Sequence, residues 1–348
     1  MCSQNLPVEE KKGRSALFWI CVGIGSFSFL GVIAFVIMVV VSFAFLGGSV
    51  SPESDSSGKE VLREIHVSGS GENKIVLVPI KGVISDKSAG TFLMNSPSLV
   101  HVVKRSLEQA ASDNSVKGVI LEVDSPGGGI TASDVIYNYI VNFKNKTGKT
   151  VVVYMQDVAA SGGYYVSVAA DKIIAHPTTI TGSIGVIMPI INISKLVEKY
   201  GIENGSIKSG MMKDIGSPLK EMSSEEKKVL TGIIDEMYLR FVTINSNGRD
   251  LSIDEVKRLA DGRIYTGNQA VENGLIDQVG YIEDAIVATG NLAGLQEAEV
   301  IRYEKRFSVG DFFKVMMSRI SSQPEVKISI DSLPFKLLSR PMYLWMGS

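Results

Sequence analysis

An α/β fold of βαβ units is what this sequence predicts, from three observations. Short apolar runs of strand type recur at residues 75–80, 116–123 and 150–154. Stretches with helical spacing, residues 96–113 and 131–143, lie between them. The 348 residues leave ample length to bury a core. Strands alternating with helices point to crossover connections and a largely parallel sheet.

The elements follow in chain order. Residues 16–46 carry no charge and are mostly Leu, Ile, Val, Phe, Ala and Gly. As a helix, roughly thirty residues at ~1.5 Å each span about 45 Å, more than the ~30 Å hydrocarbon layer. Lys11, Lys12 and Arg14 precede this segment, and Glu53 and Asp55 are the nearest charges after it. The positive-inside rule then sets residues 1–15 in the cytoplasm and everything beyond about residue 50 outside the cell membrane. A cleaved secretory signal has an apolar region of only ~7–15 residues, so an uncleaved single-pass anchor is the expectation. Residues 47–73 are polar and rich in Ser and Gly, which reads as a flexible linker.

The globular body is expected over residues 74–295. In residues 96–113, Leu99, Val102, Val103, Leu107 and Ala110 form one stripe. Residues 223–243 read as a further amphipathic helix, opened by the capping pattern Ser223-Ser224-Glu225-Glu226. Residues 296–348 form a C-terminal extension: an edge strand at 300–303, a short amphipathic helix at 309–320, then an apolar, proline-punctuated end. An end of that composition docks on something, whether its own body, a neighbouring subunit or the membrane surface.

Charge and cysteine narrow the function classes. Lys plus Arg is 35 against 37 for Asp plus Glu, a net charge of −2, which argues against nucleic acid as the main partner. The two cysteines, Cys2 and Cys21, lie before and inside the apolar segment, so the body has no thiol for a disulfide or a Cys-based metal site.

The chemistry-bearing residues cluster in four places. Ser161 stands before Gly162-Gly163-Tyr164-Tyr165. A hydroxyl flanked by glycine suits a nucleophile, because bare backbone lets a carbonyl approach and leaves an amide free to donate. Taken singly, the same serine reads equally as a helix N-cap. Gly127-Gly128-Gly129 follows a predicted strand and precedes a predicted helix. Such a turn frees amides for an oxyanion or simply reverses the chain; the spacing of a P-loop and Gly-x-Gly-x-x-Gly are both absent.

Three histidines are present, His66, His101 and His176, and none falls in a motif that would make it a base for Ser161. His176, at the end of a predicted strand, reads as structural. A serine nucleophile then needs an amine, and Lys213 is the candidate. Such a lysine must be neutral near pH 7, far below the ordinary value of about 10.4, which burial away from carboxylates can achieve. Asp214 is next in sequence, so its carboxylate is expected to point away and bind backbone amides. Ser183 is a candidate to orient the amine.

Five segments together resemble successive motifs of the bacterial signal peptide peptidase A family. They are Asp124-Ser125-Pro126-Gly127-Gly128, Ala160-Ser161-Gly162-Gly163-Tyr164-Tyr165, Thr179-Ile180-Thr181-Gly182-Ser183-Ile184-Gly185, Ser209-Gly210 with Lys213-Asp214, and Gly262-Arg263-Ile264-Tyr265-Thr266-Gly267. Ala270 and Gly274-Leu275-Ile276-Asp277 continue the likeness, which covers residues 74–295 in order and spacing. The resemblance implies a ClpP/crotonase-like α/β fold and a Ser/Lys-dyad serine protease of the short, single-copy form. It assigns Ser161 as nucleophile, Lys213 as general base, Ser183 as the residue that holds the lysine, and the amides of Gly128 and Gly162 as the oxyanion hole. It also implies a homo-oligomeric ring with serine and lysine from neighbouring subunits, a membrane anchor, and signal peptides and unfolded segments as substrates. No metal or organic cofactor is signalled. Two other readings stand beside it: a crotonase-type acyl-thioester enzyme, which needs no serine nucleophile, and a ring-forming membrane scaffold without turnover.

Overall fold

Alternate residues of the central strands bury on opposite faces of one sheet, and that period of two builds the core. The computed structural model describes residues 61–91, 94–305 and 341–347, together with Gly31, Phe35 and Met38, which are helical. The chain divides into two units, Met1–Val61 and Leu62–Ser348, and the sheet belongs to the second. Apart from those three positions, the expected membrane segment 16–46 lies outside the described residues, as does the helix expected at 309–320. Among the described residues no helix is long and apolar enough to cross a membrane.

The main sheet contains β1 (Arg63–Ser68), β2 (Lys74–Lys81), β5 (Val116–Ser125), β7 (Thr150–Ala160), β8 (Lys172–Ala175), β9 (Ile180–Gly182), β10 (Ile264–Thr266), β11 (Gln278–Val279) and β12 (Glu299–Glu304). Its order is β1-β12-β2-β5-β7-β8-β11, with β9 joined to β7 and β10 joined to β9. The run from β12 to β11 is parallel, and β1 and β10 pair antiparallel, so the sheet is mixed. Two small ladders stand apart: β3 (Ala89–Thr91) with β4 (Met94–Ser96), and β6 (Gly127–Gly129) with β13 (Met342–Leu344).

On one face, Val76, Val119, Leu121, Val151 and Val153 share one buried core with residues of α1 (Leu99–Ser112), α2 (Ile130–Thr147), α3 (Gly162–Ser167) and, packed on α3, α5 (Ser224–Arg249). Between α3 and α5 the chain also forms the short helix α4 (Ser194–Lys199). On the other face, Ile75, Leu77, Ile120, Val152 and Tyr154 meet a later helix, Ile282–Ala293. Each fully buried Val, Leu or Ile contributes about 1.5–3 kcal/mol, so the three central strands dominate the hydrophobic stabilisation.

The helices begin where their caps dictate. Ser98 accepts from the His101 N–H at 3.2 Å and starts α1, whose Val103, Leu107 and Ala110 are buried as the stripe requires. Ser223 and Glu226 form a reciprocal capping box at the start of α5.

Two expectations need correction. β12, expected at an edge, is interior, flanked by β1 and β2. The edge is β1, which comes from the stretch read as a linker. Its side chains are almost all exposed, so no apolar alternation marks it. Antiparallel pairing with β12, for example Glu64 opposite Tyr303, is what makes it a strand.

Candidate active site

β7 is longer than its neighbours and changes partner along its length. Val152–Met155 pair with β8, whereas Val158–Ala160 pair with β9. The divergence opens the carboxyl end of the strand, the position where α/β sheets characteristically leave a crevice. Ser161 occupies that end, as the single residue between β7 and α3.

The backbone of Ser161 is at φ 52° and ψ −114°, a conformation that L-residues rarely adopt and that costs about 1–3 kcal/mol. Its neighbours hold it there. The Ser161 N–H donates to the Gly182 carbonyl at 2.7 Å, and the Ser161 carbonyl accepts from the Tyr165 N–H at 2.8 Å. Ser183, one residue beyond Gly182, is also at positive φ (49°), pinned by its N–H donating to the Arg263 carbonyl at 2.8 Å. Both serines line one cleft of about 410 Å³, together with Ile187, Tyr238, Asp261 and Leu344. Neither hydroxyl has a hydrogen-bond partner among the described residues. At the cleft wall, hydrogen bonds from Arg263 hold the Asp261 carboxyl down to about 2.

The glycine turn packs directly against this serine. Gly127 is at φ 96°, and a Cβ there would stand 2.5 Å from the Gly162 nitrogen. A Cβ on Gly162 would come within 2.6 Å of Ser133 Oγ and 3.0 Å of the Gly127 Cα. The two glycines thus meet backbone to backbone, which no side chain would permit. Ile84 donates to the Gly127 carbonyl at 2.8 Å, and Gly129 donates to the Ile84 carbonyl at 2.9 Å. Backbone groups alternate along a strand, so the Gly128 N–H and carbonyl face the other edge, where Tyr343 is the register partner of Gly128.

Lys213 lies elsewhere in the single chain. It is exposed on the 3₁₀ turn Met211–Asp214 and is not among the residues lining the Ser161 cleft. Its amine has no partner among the described residues. Asp214 does turn away from it, but toward ammonium groups rather than the expected backbone amides. Lys208 donates to Asp214 Oδ2 at 2.6 Å and Lys220 to Oδ1 at 2.7 Å. Those two hydrogen bonds, Lys208 first, lower the Asp214 carboxyl to about 2. Lys220 also bonds Glu226, which ties the turn to the start of α5.

The histidines stay outside the cleft. His176 bonds Thr178 through Nδ1 at 2.8 Å and packs edge-on to Tyr281. Tyr164 is core: its hydroxyl donates to the Leu275 carbonyl at 2.7 Å. Tyr165 is different. Its hydroxyl bonds Asp134 at 2.6 Å, and its ring stacks on Tyr343 with centroids 4.8 Å apart. Burial and the Asp134 bond both push its hydroxyl pKa up.

Sequence reasoning missed the last strand. Leu344, Trp345 and Met346 line the Ser161 cleft, and the only signal for them was an apolar composition suited to docking. Of the three destinations left open for that end, Met342–Leu344 takes the chain's own body.

Comparison with known proteins agrees with this geometry. Residues 143–296 match peptidase family S49, and residues 95–181 match the Clp protease family, in keeping with a ClpP-like α/β fold. A protein of Enterococcus faecium described as a signal peptide peptidase SppA is 39% identical over 296 residues, 83% of this chain and 86% of that protein. A serine protease SPPA, chloroplastic, of Arabidopsis thaliana is 30% identical over 226 residues, 65% of this chain and 33% of that protein. Among solved structures, a ClpP1 mutant of Listeria monocytogenes matches at 18% identity with a TM-score of 0.40, covering 60% of this chain and 94% of that one. Identity sustained over most of both chains, with the motifs in order around a strained serine, decides the assignment: the chain belongs to the signal peptide peptidase A family, peptidase family S49, and is a serine protease.

Proposed function

We propose that this protein is a membrane-anchored serine endopeptidase that hydrolyses signal peptides left in the membrane and other unfolded apolar segments, using a Ser161/Lys213 dyad. The observation that carries the reading is Ser161 itself. A strained serine with an unpartnered hydroxyl, at a strand-to-helix junction beside Gly127 and Gly162, is how a nucleophile is presented to a carbonyl.

In this mechanism a neutral Lys213 amine takes the proton of Ser161 Oγ while Oγ bonds to the peptide carbonyl carbon. The amides of Gly128 and Gly162 stabilise the oxyanion. The protonated lysine then returns the proton to the leaving amine, and water, activated by the same amine, hydrolyses the acyl-enzyme. Ser183, on the wall of the same cleft, holds the lysine.

Lys213 belongs to a neighbouring subunit in this reading. Support comes from its surroundings: Ile190, Ile191, Leu196, Tyr200, Ile207 and Met211 are exposed along the same stretch. Apolar surface of that extent is characteristic of an interface, and a homo-oligomeric ring would cover it. The anchor at 16–46, with Lys11, Lys12 and Arg14 before it, sets the catalytic body on the extracytoplasmic side.

The test is labelling of Ser161 by a fluorophosphonate in the assembled protein at several pH values. Labelling that is lost in Ser161→Ala and strongly slowed in Lys213→Ala is expected. Equal labelling of wild type and Lys213→Ala removes the dyad, and acyl-CoA binding without any labelling moves the protein to the thioester class.

A further inference from the structure

Two carboxylates tie down the turn that carries Lys213, and both are fully occupied. Asp214 accepts from Lys208 at Oδ2 (2.6 Å) and from Lys220 at Oδ1 (2.7 Å), so each of its oxygens holds an ammonium. Glu226, in the first turn of α5, accepts from the same Lys220 at Oε1 and from the Ser223 N–H at Oε2 (2.9 Å). Two lysines thus balance two carboxylates. The Lys213 amine is left outside the cluster, with no partner among the described residues.

The Asp214 side chain is only 16% exposed and that of Glu226 only 4%, so these are not the fully solvated pairs that contribute almost nothing. The remaining charges of this stretch lie on another groove. There Lys195 of α4 pairs with Glu221 at 3.5 Å, beside Glu198 and Glu203.

The occupancy matters because of where Asp214 sits. It directly follows Lys213, in a turn closed by the Lys213 N–H donating to the Gly210 carbonyl at 3.1 Å. A carboxylate within ~4–6 Å of an amine favours the protonated form, typically by about 1–3 pH units. A general base must be unprotonated to accept the serine proton. Released from Lys208 and Lys220, the Asp214 carboxylate would have Lys213 as its neighbour in the chain.

We propose that Lys208 and Lys220 are positioning residues for the general base: they sequester the Asp214 carboxylate, so that Lys213 meets Ser161 uncharged. The inference rests on the Ser161/Lys213 reading above and deepens it. Lys220 acts from a fixed point, anchored by Glu226 of α5, whereas Lys208 bonds Asp214 alone among the described residues.

The experiment measures the rate of fluorophosphonate labelling of Ser161 against pH in the assembled full chain. The proteins are wild type, Lys213→Ala, Lys208→Met/Lys220→Met, and that double variant with Asp214→Asn added. Labelling rises with pH as the base loses its proton, so a carboxylate paired with the amine moves the midpoint upward. The double variant should move it by about one pH unit or more, which makes labelling about tenfold slower at a pH below both midpoints. Asp214→Asn should return the midpoint to the wild-type value, because the competing carboxylate is gone. Lys208→Met alone keeps the tie between Lys220 and Glu226, and serves where the double variant does not assemble; its midpoint should also rise. Unmoved midpoints in the lysine variants overturn the inference. So does labelling slowed equally at every pH and not repaired by Asp214→Asn, the mark of a merely structural tie. Lys213→Ala separates the failures: if it labels like wild type, the dyad falls and the inference with it. If it labels far more slowly while the other midpoints stay put, the dyad stands and only the role of Lys208 and Lys220 is lost.

Discussion

The Ser161 N–H donates to the Gly182 carbonyl across 2.7 Å, so the two serines of the cleft are joined through one backbone bond. Ser161 follows β7 and Ser183 follows β9, and the pairing of Ala160 with Gly182 sets both at the same level of the sheet. Each is at positive φ. The backbone geometries of Ser161, the proposed nucleophile, and of Ser183 are therefore fixed by one strand register.

Replacing the proposed nucleophile should remove chemistry and leave the fold. Ser161→Ala is expected to lower kcat by about 10⁴-fold or more, with an unchanged circular dichroism spectrum. Retention of more than a hundredth of wild-type turnover on a peptide substrate would sink the assignment.

Complementation tests whether the dyad crosses subunits. Ser161→Ala and Lys213→Ala proteins, each inactive alone, should regain activity when unfolded together and reassembled in equal amounts. Random mixing places an intact serine beside an intact neighbouring lysine at about a quarter of the sites of a cyclic assembly. Recovery near that level in a turnover assay is the expected result, and none at all would place both residues in one subunit or dismiss the pair.

Ser183→Ala should behave as the loss of a positioning contact. An amine misplaced by about 1 Å costs on the order of 10²-fold, so kcat should fall far more than the melting temperature does. Alanine accepts the φ of 49° about as well as serine, which keeps the comparison clean. Unchanged kcat would show that the hydroxyl does not reach the lysine.

Gly162→Ala should damage both stability and rate. The new methyl would meet Ser133 Oγ at 2.6 Å and the Gly127 Cα at 3.0 Å, and the latter is backbone that cannot swing aside. Overpacking of this kind costs about 1–3 kcal/mol, and a displaced oxyanion donor costs about 10²–10³ in kcat. Thermal melting and turnover measured on the same preparation check both.

Asp214 makes a pH prediction. Its carboxyl is held at about 2 by hydrogen bonds from Lys208 and then Lys220, below the unfolded value of about 3.9. The tie between the Met211–Asp214 turn and its lysines therefore stabilises fully above the unfolded value and is lost as the pH falls through about 2. A carbon-detected titration of the Asp214 carboxyl should give a midpoint near 2; an ordinary carboxylate midpoint would mean that the two lysines are not bound in solution.

Elements that announce themselves by local chemistry were legible from sequence. The stripe Val103, Leu107, Ala110 and the capping box Ser223/Glu226 appear as read, because a helix is specified by spacing and by residues within one turn of its end. The buried runs of β2, β5 and β7 were equally plain. β1 was not, because an exposed edge strand carries no apolar alternation and is created by its partner β12.

For this protein, then, residue type and order determined the βαβ core, the family and the serine, glycine and lysine motifs that carry the proposed chemistry. Tertiary structure alone decided how Ser161 is strained, that Ser183 shares its cleft while Lys213 does not, and that Tyr343 enters an aromatic pocket beside Gly128. The reason is range: capping and periodicity act over a few residues, whereas strand pairing joins segments such as 127–129 and 342–344 that only folding brings together.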